Sequence, residues 1–533
     1  MNKNYTYLFS VLCLITSLSM AAEKHVSRVS PAPARQEGQG PYSQLILREV
    51  TVINGTGAPA FGPADIVIEG NKITQIAIVG TPTSSVRSGR PVLKAGGKEL
   101  QLAGHFVMPG IIDMHGHIGG GEQGTPAEYV YKLWMGHGIT TIRDPSCGNG
   151  LEFCLSEKKR SADNSITAPR ILAYPVFGQG QAKEFTEPEQ ARAWVREMKA
   201  KGADGLKCFG YRPDILQAAL EETKKQGLRS ACHHAQIDVA RVNVLNTARW
   251  GLTTMEHWYG LPEALFDGQT VQNYPADYNY QNEQQRFGQA GRLWAQAAKP
   301  GSDKWNAVMD ELLKLDFTID PTFTIYQASR DIMRARRADW HDEYTLPSLT
   351  QFFTPNPDSH GSFFFDWGTE EEVAWKENYR LWMRFVNDYK NRGGRVTVGS
   401  DSGYIYKVYG FGTIEELELL REAGFHPLEV MKAATLSGAE ALGLQKSIGS
   451  IEAGKLADLA ILDENPLANF KVMYGTGHMR LEKSGKLNQV GGVKYTIKDG
   501  IIYDAKQLLA DVRNMVKKAK QDNLKPSQKM SSP

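Results

Sequence analysis

Cysteine is scarce in this 533-residue chain, five in all, and that scarcity excludes a small fold stapled by disulfides. Neither sign of charge is in excess: 61 basic residues stand against 59 acidic ones, a formal net charge of +2. Composition therefore gives no electrostatic footprint for nucleic acid or for an anionic membrane surface. Long apolar runs are also missing. Beyond the first 22 residues no stretch approaches the roughly 20 apolar residues that span a bilayer.

What is present is the composition of an ordinary globular enzyme, 41% hydrophobic, in a chain too long for one average domain. Its start places Lys3 before an apolar run at 8–18, then small residues ending at Ser19-Met20-Ala21. This order predicts a signal peptide over 1–21, no membrane span after its cleavage, and a periplasmic or secreted protein. Export would leave Cys147, Cys154, Cys208 and Cys232. Cys147 and Cys154 lie seven apart in a Gly-rich stretch and could bridge in an oxidising compartment. Cys208 and Cys232 read as small buried hydrophobes on strands.

Residues 22–44 are polar, carry Pro31, Pro33 and Pro41, and show no apolar period, which predicts a flexible leader. Short strand-like runs follow at 45–54, 65–69, 72–78 and 99–102. From residue 108 strands and helices alternate, with helices at 187–201, 214–226 and 240–250, and strands at 140–144, 170–176, 205–209, 228–233 and 252–257. That order predicts an α/β fold, and the number of units predicts closure into a (β/α)8 TIM barrel over 108–447. Aromatic-rich stretches at 258–315 and 331–367 break the pattern and read as insertions over the barrel mouth. Short strands return over 448–510, and we expect them to join 45–107 in a composite β-sandwich domain. Residues 522–533 read as a disordered tail.

The chemistry sits at the strand ends. Met108-Pro109-Gly110-Ile111-Ile112-Asp113-Met114-His115-Gly116-His117 closes an apolar strand with two imidazoles one glycine apart. Residues i and i+2 of a strand share a face, so His115 and His117 can converge on one ion. The carboxyl ends of the later strands add Lys207, His233 or His234, His257 and Asp401, where barrel enzymes place catalytic groups. Imidazoles and a carboxylate suit zinc or a similar divalent ion. Lysine is no ligand as a cation, so Lys207 has another role or is modified. A carbamate formed with carbon dioxide would turn its amine into a carboxylate able to bridge two cations.

In these residues the chain resembles the metal-dependent amidohydrolase superfamily, in its secreted, peptidase- or prolidase-like branch that includes ochratoxin-hydrolysing enzymes. The resemblance covers about 45–504. It is carried by the stretch ending at His117, by Thr140-Thr141-Ile142-Arg143-Asp144, by Ala433-Ala434-Thr435 and by Gly449-Ser450-Ile451-Glu452-Ala453-Gly454-Lys455-Leu456-Ala457-Asp458-Leu459. It implies that His115, His117 and Asp401 hold the more buried of two divalent ions, usually zinc. Lys207 would be the carboxylated bridge, and His233 and His257 the ligands of the second ion. The adjacent histidines leave two readings. His233 stands where the strand-five ligand is expected, with His234 pointing away or touching substrate, whereas the slightly long interval to His257 favours His234.

The resemblance implies attack by a metal-bridging hydroxide on an amide or peptide C–N bond in an N-acyl amino acid, a dipeptide or a cyclic amide. Asp401 would carry the proton to the leaving amine. The partner is then a small-molecule substrate, with Tyr326 placed to touch it, and a homo-oligomer is left open. Arg143 and Asp144 read as a structural pair, and Gly403 and Tyr404 as pocket neighbours of Asp401. A lactonase or phosphoester hydrolase on the same site, and a non-catalytic metal-binding protein, are the competing readings.

Overall fold

The computed structural model describes residues 29–81, 89–356, 360–362, 364 and 366–524. The expected signal peptide and residues 525–533 of the expected tail lie outside them. The amino-terminal part supplies β1 (Leu45–Val52), β2 (Phe61–Glu69), β3 (Lys72–Ile78), β4 (Lys98–Gln101) and β5 (Phe106–Pro109). The central part supplies β6 (Ile111–Asp113), β7 (Ile139–Asp144), β8 (Arg170–Ala173), β9 (Gly205–Cys208), β10 (Arg229–Cys232), β11 (Thr254–Glu256), β12 (Thr318–Asp320) and β13 (Arg395–Val396). The carboxyl-terminal part adds β14 (Leu459–Leu462), a hairpin of β15 (His478–Leu481) and β16 (Leu487–Val490), then β17 (Val493–Lys498) and β18 (Ile501–Asp504).

The chain's two ends share one sheet. β14 pairs antiparallel with β5, Leu459 opposite Pro109 and Leu462 opposite Phe106. The order is β18-β17-β14-β5-β1-β2-β3, with β4 on β1. Backbone pairing thus joins these segments in one eight-stranded sheet. In β1, Leu45, Ile46, Leu47, Val50 and Val52 are all buried, so both faces of this central strand are covered.

The fold of the central part is TIM-barrel-like α/β. Its eight strands are parallel to their neighbours and form a three-stranded sheet, β6-β7-β8, and a five-stranded sheet, β13-β12-β11-β10-β9. Among the described residues the ladder is interrupted between β8 and β9 and between β6 and β13. Sparse contacts join the sheets at both seams: Lys207 N–H donates to Pro175 O at 2.9 Å, and Met114 N–H to Val398 O at 2.8 Å. The strands carry unbroken buried runs, as Ile-Ile-Asp in β6 and Thr-Ile-Asp in β12, the pattern of sheets covered on both faces.

Helix ends follow local chemistry. In Pro188–Lys201, Glu187 and Gln190 form a capping box, Pro188 occupies the first turn, and Gly202 ends the helix at φ 98°. Other stretches depart from expectation. Residues 29–44 are no free leader: Val29 and Ala32 are buried, and Glu37 pairs with Lys132 at 2.7 Å. Beyond β18 the chain forms the helix Ala505–Leu524, which buries Leu508, Leu509, Val512 and Val516. The seventh strand stops at Asp320, since Thr322 turns left-handed at φ 48° and starts a 3-10 turn. Both insertions contain helices, among them Glu283–Ala290, Asp303–Lys314 and Pro347–Phe353. Cys147 and Cys154 are buried free thiols, not a disulfide.

Candidate metal centre

His115 and His117 leave β6, Lys207 lies within β9, His233 follows β10, His257 follows β11, and Asp401 comes five residues after β13. All six line one cavity of about 440 Å³. Its construction demands close approach of backbone to side chains. A Cβ on Gly399 would lie 2.4 Å from Asp320 Oδ2 and 2.8 Å from His115 Cβ, so only glycine fits beside the first imidazole. Asp401 and His257 adopt φ values of 51° and 62°, left-handed conformations costly for non-glycine residues. Backbone bonds hold both: Asp401 N–H to His115 O at 2.9 Å and His257 N–H to Asp320 O at 3.0 Å.

The imidazoles meet at one carboxylate. His117 Nε2 lies 3.0 Å and His115 Nε2 3.5 Å from Asp401 Oδ1, and His257 Nε2 lies 3.7 Å from Oδ2. Ligand atoms of His115, His257 and Asp401 all fall within 4.8 Å of one another. The opposite ring nitrogens are each engaged from behind. His115 Nδ1 meets Glu256 Oε2 at 2.6 Å, His117 Nδ1 meets Ser146 Oγ at 3.1 Å, and His257 Nδ1 meets Thr322 Oγ1 at 2.5 Å. Such partners fix ring orientation and leave Nε2 for an ion.

The double histidine divides. His233 faces the cavity, its ring 4.7 Å from that of His257. His234 does not line the cavity. It points to the helix Val244–Arg249, where Nε2 meets Thr247 Oγ1 at 2.8 Å, so the expected substrate contact is corrected. Successive side chains at a strand end diverge, and the small helix captures the second. Tyr326 does line the cavity, with its ring 5.5 Å from that of His257.

Burial sets the charge states. It pushes His257 down to about 3, aided by His115 and Lys207, and lowers His115 and His233, so these imidazoles are neutral and ligand-ready. For Asp401 burial works the other way, but His115, His117 and His257 outweigh it and hold the carboxyl well below the usual range. Lys207 is buried, forms no ion pair among the described residues, and has its Nζ 5.5 Å from the Phe209 ring centre. Desolvation lowers its pKa and favours the neutral amine.

Sequence reasoning missed the residues behind the imidazoles. Arg143 does not pair with Asp144. Its guanidinium donates to Glu256 Oε2 at 2.6 Å and lies 3.4 Å from Asp320 Oδ2, while Asp144 accepts from the Ser146 and Cys147 N–H groups. Glu256, Ser146 and Thr322 carried no motif. The signal for Glu256 was a carboxylate next to a strand-end histidine, in a run otherwise uncharged. The donor set as a whole, neutral imidazoles converging beside a carboxylate with their far nitrogens engaged, fits divalent cations such as zinc.

The TIM-barrel-like scaffold thus gathers histidines and an aspartate at its strand ends, a donor set able to hold divalent cations. Residues 383–502 match the profile described as Amidohydrolase family. Among solved structures, a Xaa-Pro dipeptidase with methionine bound in its active site superposes at TM-score 0.56 and 18% identity, covering 87% of this chain and all of that one. Bottromycin amidohydrolase superposes at TM-score 0.61 and 17% identity, covering 90% and 91%. An uncharacterised Mycobacterium tuberculosis protein is 25% identical over 183 residues, 31% of this chain and 48% of its own, so the chain spans about half the length of that curated relative. The similarity to the amidohydrolase family is thus carried by residues 383–502, and the solved structures share the fold.

Proposed function

We infer that this protein hydrolyses an amide-type C–N bond in a small molecule, using two divalent ions, zinc in the first instance. The observation that carries the reading is the convergence of three Nε2 atoms on Asp401 in the same cavity as buried, unpaired Lys207 and His233. His115, His117 and Asp401 would hold one ion, His233 and His257 the other, and a carbamate on Lys207 would join them. Bound there, the ions would supply an acidified water and polarise the scissile carbonyl.

The chain's own residues do the rest. Glu256, Ser146 and Thr322 keep the imidazoles oriented. Asp401, within 3.0–3.7 Å of three imidazoles, is placed to take a proton and return it to the leaving nitrogen. Tyr326, Phe287 and Tyr404 line the cavity and exclude water from the reacting groups. The dipeptidase and the amidohydrolase above share this fold, and their names support an amide or peptide substrate. The apolar start and the small residues before Ala22 support export to the periplasm or medium. The test is to strip the purified protein with a chelator, add zinc back, and screen dipeptides, N-acyl amino acids, cyclic amides and lactones. Zinc-dependent amide cleavage is expected. Turnover of lactones alone, or activity unchanged by chelation, overturns the reading.

A further inference from the structure

Arg286 stands on the helix Glu283–Ala290, inside the stretch that interrupts the barrel, and lines the same cavity as His115 and Asp401. Its guanidinium carbon lies 4.7 Å from the Phe287 ring centre and 5.1 Å from that of Tyr280, so two aromatic rings hold it. Nη2 donates to Glu283 Oε1 at 2.8 Å, while the buried Nε–H has no acceptor among the described residues. His360 Nδ1 lies 2.7 Å from the same Glu283 oxygen, and this ring also lines the cavity. One carboxylate oxygen is therefore shared between two groups that favour anions. Asp401 is the one acid among the described lining residues, and His115 and His117 already engage it.

Ring contacts give the distance from the imidazole cluster. His257 touches Tyr326 at 5.5 Å, and Tyr326 approaches Phe287 at 6.5 Å, on which Arg286 rests. On the other side His117 meets Tyr404 at 5.8 Å and Tyr404 meets His360 at 5.9 Å. Arg286 and His360 thus line the same cavity as the cluster and are linked to it through these aromatic rings.

We propose that Arg286 recognises the anionic end of the substrate, which is accordingly an amide bearing a free carboxylate, such as an N-acyl amino acid or a dipeptide. A guanidinium presents parallel donors matched to a carboxylate, and its aromatic surroundings strengthen such a charge-assisted bond. The carboxylate docks on Arg286 while the amide reaches the imidazole cluster. The orientation rests on the amide-hydrolase reading; the carboxylate site does not.

The test measures binding by calorimetry on zinc-loaded protein, with N-acetyl-L-phenylalanine and its primary amide as the matched pair. The native enzyme is expected to prefer the acid by tenfold or more. Arg286→Gln should erase that preference, Arg286→Lys should retain part of it, and Glu283→Gln, by removing the competing carboxylate, should keep or enlarge it. Melting curves verify that each variant is folded. Equal binding of acid and amide by the native enzyme, no binding of either, a preference that survives Arg286→Gln, or its loss in Glu283→Gln as well overturns the proposal. Hydrolysis is scored separately: a preference for the acid without turnover of any amide would sink the catalytic reading and leave the carboxylate site standing.

Discussion

Glu256 Oε2 lies 2.6 Å from His115 Nδ1 and 2.6 Å from Arg143 Nη2, so one carboxylate oxygen ties a cavity-lining histidine to a buried arginine. Burial would raise this carboxyl, but Arg143 and His115 outweigh it and keep it ionised. Removing the negative charge therefore disturbs both partners. Glu256→Gln is expected to weaken zinc affinity by about 10–100-fold, the usual effect of losing a partner behind a ligand. A competition titration with a chromogenic chelator reads this directly. Unchanged affinity would mean that Glu256 supports the fold alone.

Lys207 gives the second prediction. The native protein, reconstituted with zinc in the presence of bicarbonate, is expected to hold two ions per chain, as counted by plasma emission. Lys207→Ala should hold one or none and lose activity by several orders of magnitude. Two ions retained at full activity would refute the bridging role.

The adjacent histidines should separate cleanly. His233→Ala is expected to lose an ion and activity. His234→Ala should keep its metal content and lose about 1–3 kcal/mol of stability, the cost of removing a buried ring and its hydrogen bond to Thr247, whose hydroxyl keeps its bond to Val244 O. Metal analysis and urea melts of the two variants decide it; metal loss in His234→Ala would reverse the assignment.

Glu416 makes stability depend on pH. Burial raises its carboxyl to about 8, against the two N–H bonds it accepts from Thr324 and Phe323 at 2.7 and 2.9 Å. A pKa raised above its unfolded value means that the folded state keeps a proton which the unfolded chain has released. The contribution is full below about 4.5 and is lost as pH rises through about 8, a few kcal/mol in all. Urea melts of native protein and Glu416→Gln from pH 5 to 8.5 should show the native curve falling relative to the variant. Parallel curves would show that the group does not titrate there.

Much of the barrel was legible because its signals are local. A capping box at Glu187 and a glycine at 202 bound a helix regardless of what packs on it, and the structure places that helix at Pro188–Lys201. Regular strands were harder. The seventh strand runs only over Thr318–Asp320, because Thr322 turns left-handed to reach His257 and Glu416 binds the following N–H groups. Those partners lie 65 and 93 residues away, and no period in the sequence reports them. The segment 29–44 misled for a similar reason. Its polar composition suggests freedom, yet Glu37 finds Lys132 and Thr167 on the barrel.

By itself the sequence determined which side chains stand at the strand ends, since alternation and turn chemistry act over a few residues. His115, His117, Lys207, His257 and Asp401 were placed at strand ends on that basis, and their donor types are those that suit a divalent ion. Tertiary structure alone decided that His233 rather than His234 enters the cavity, that Arg143 belongs to Glu256, and that Arg286 and His360 share Glu283 at the cavity that holds the imidazoles. These choices depend on which distant elements arrive beside each residue when the sheets come together, and contacts across 77 to 141 residues have no local signature.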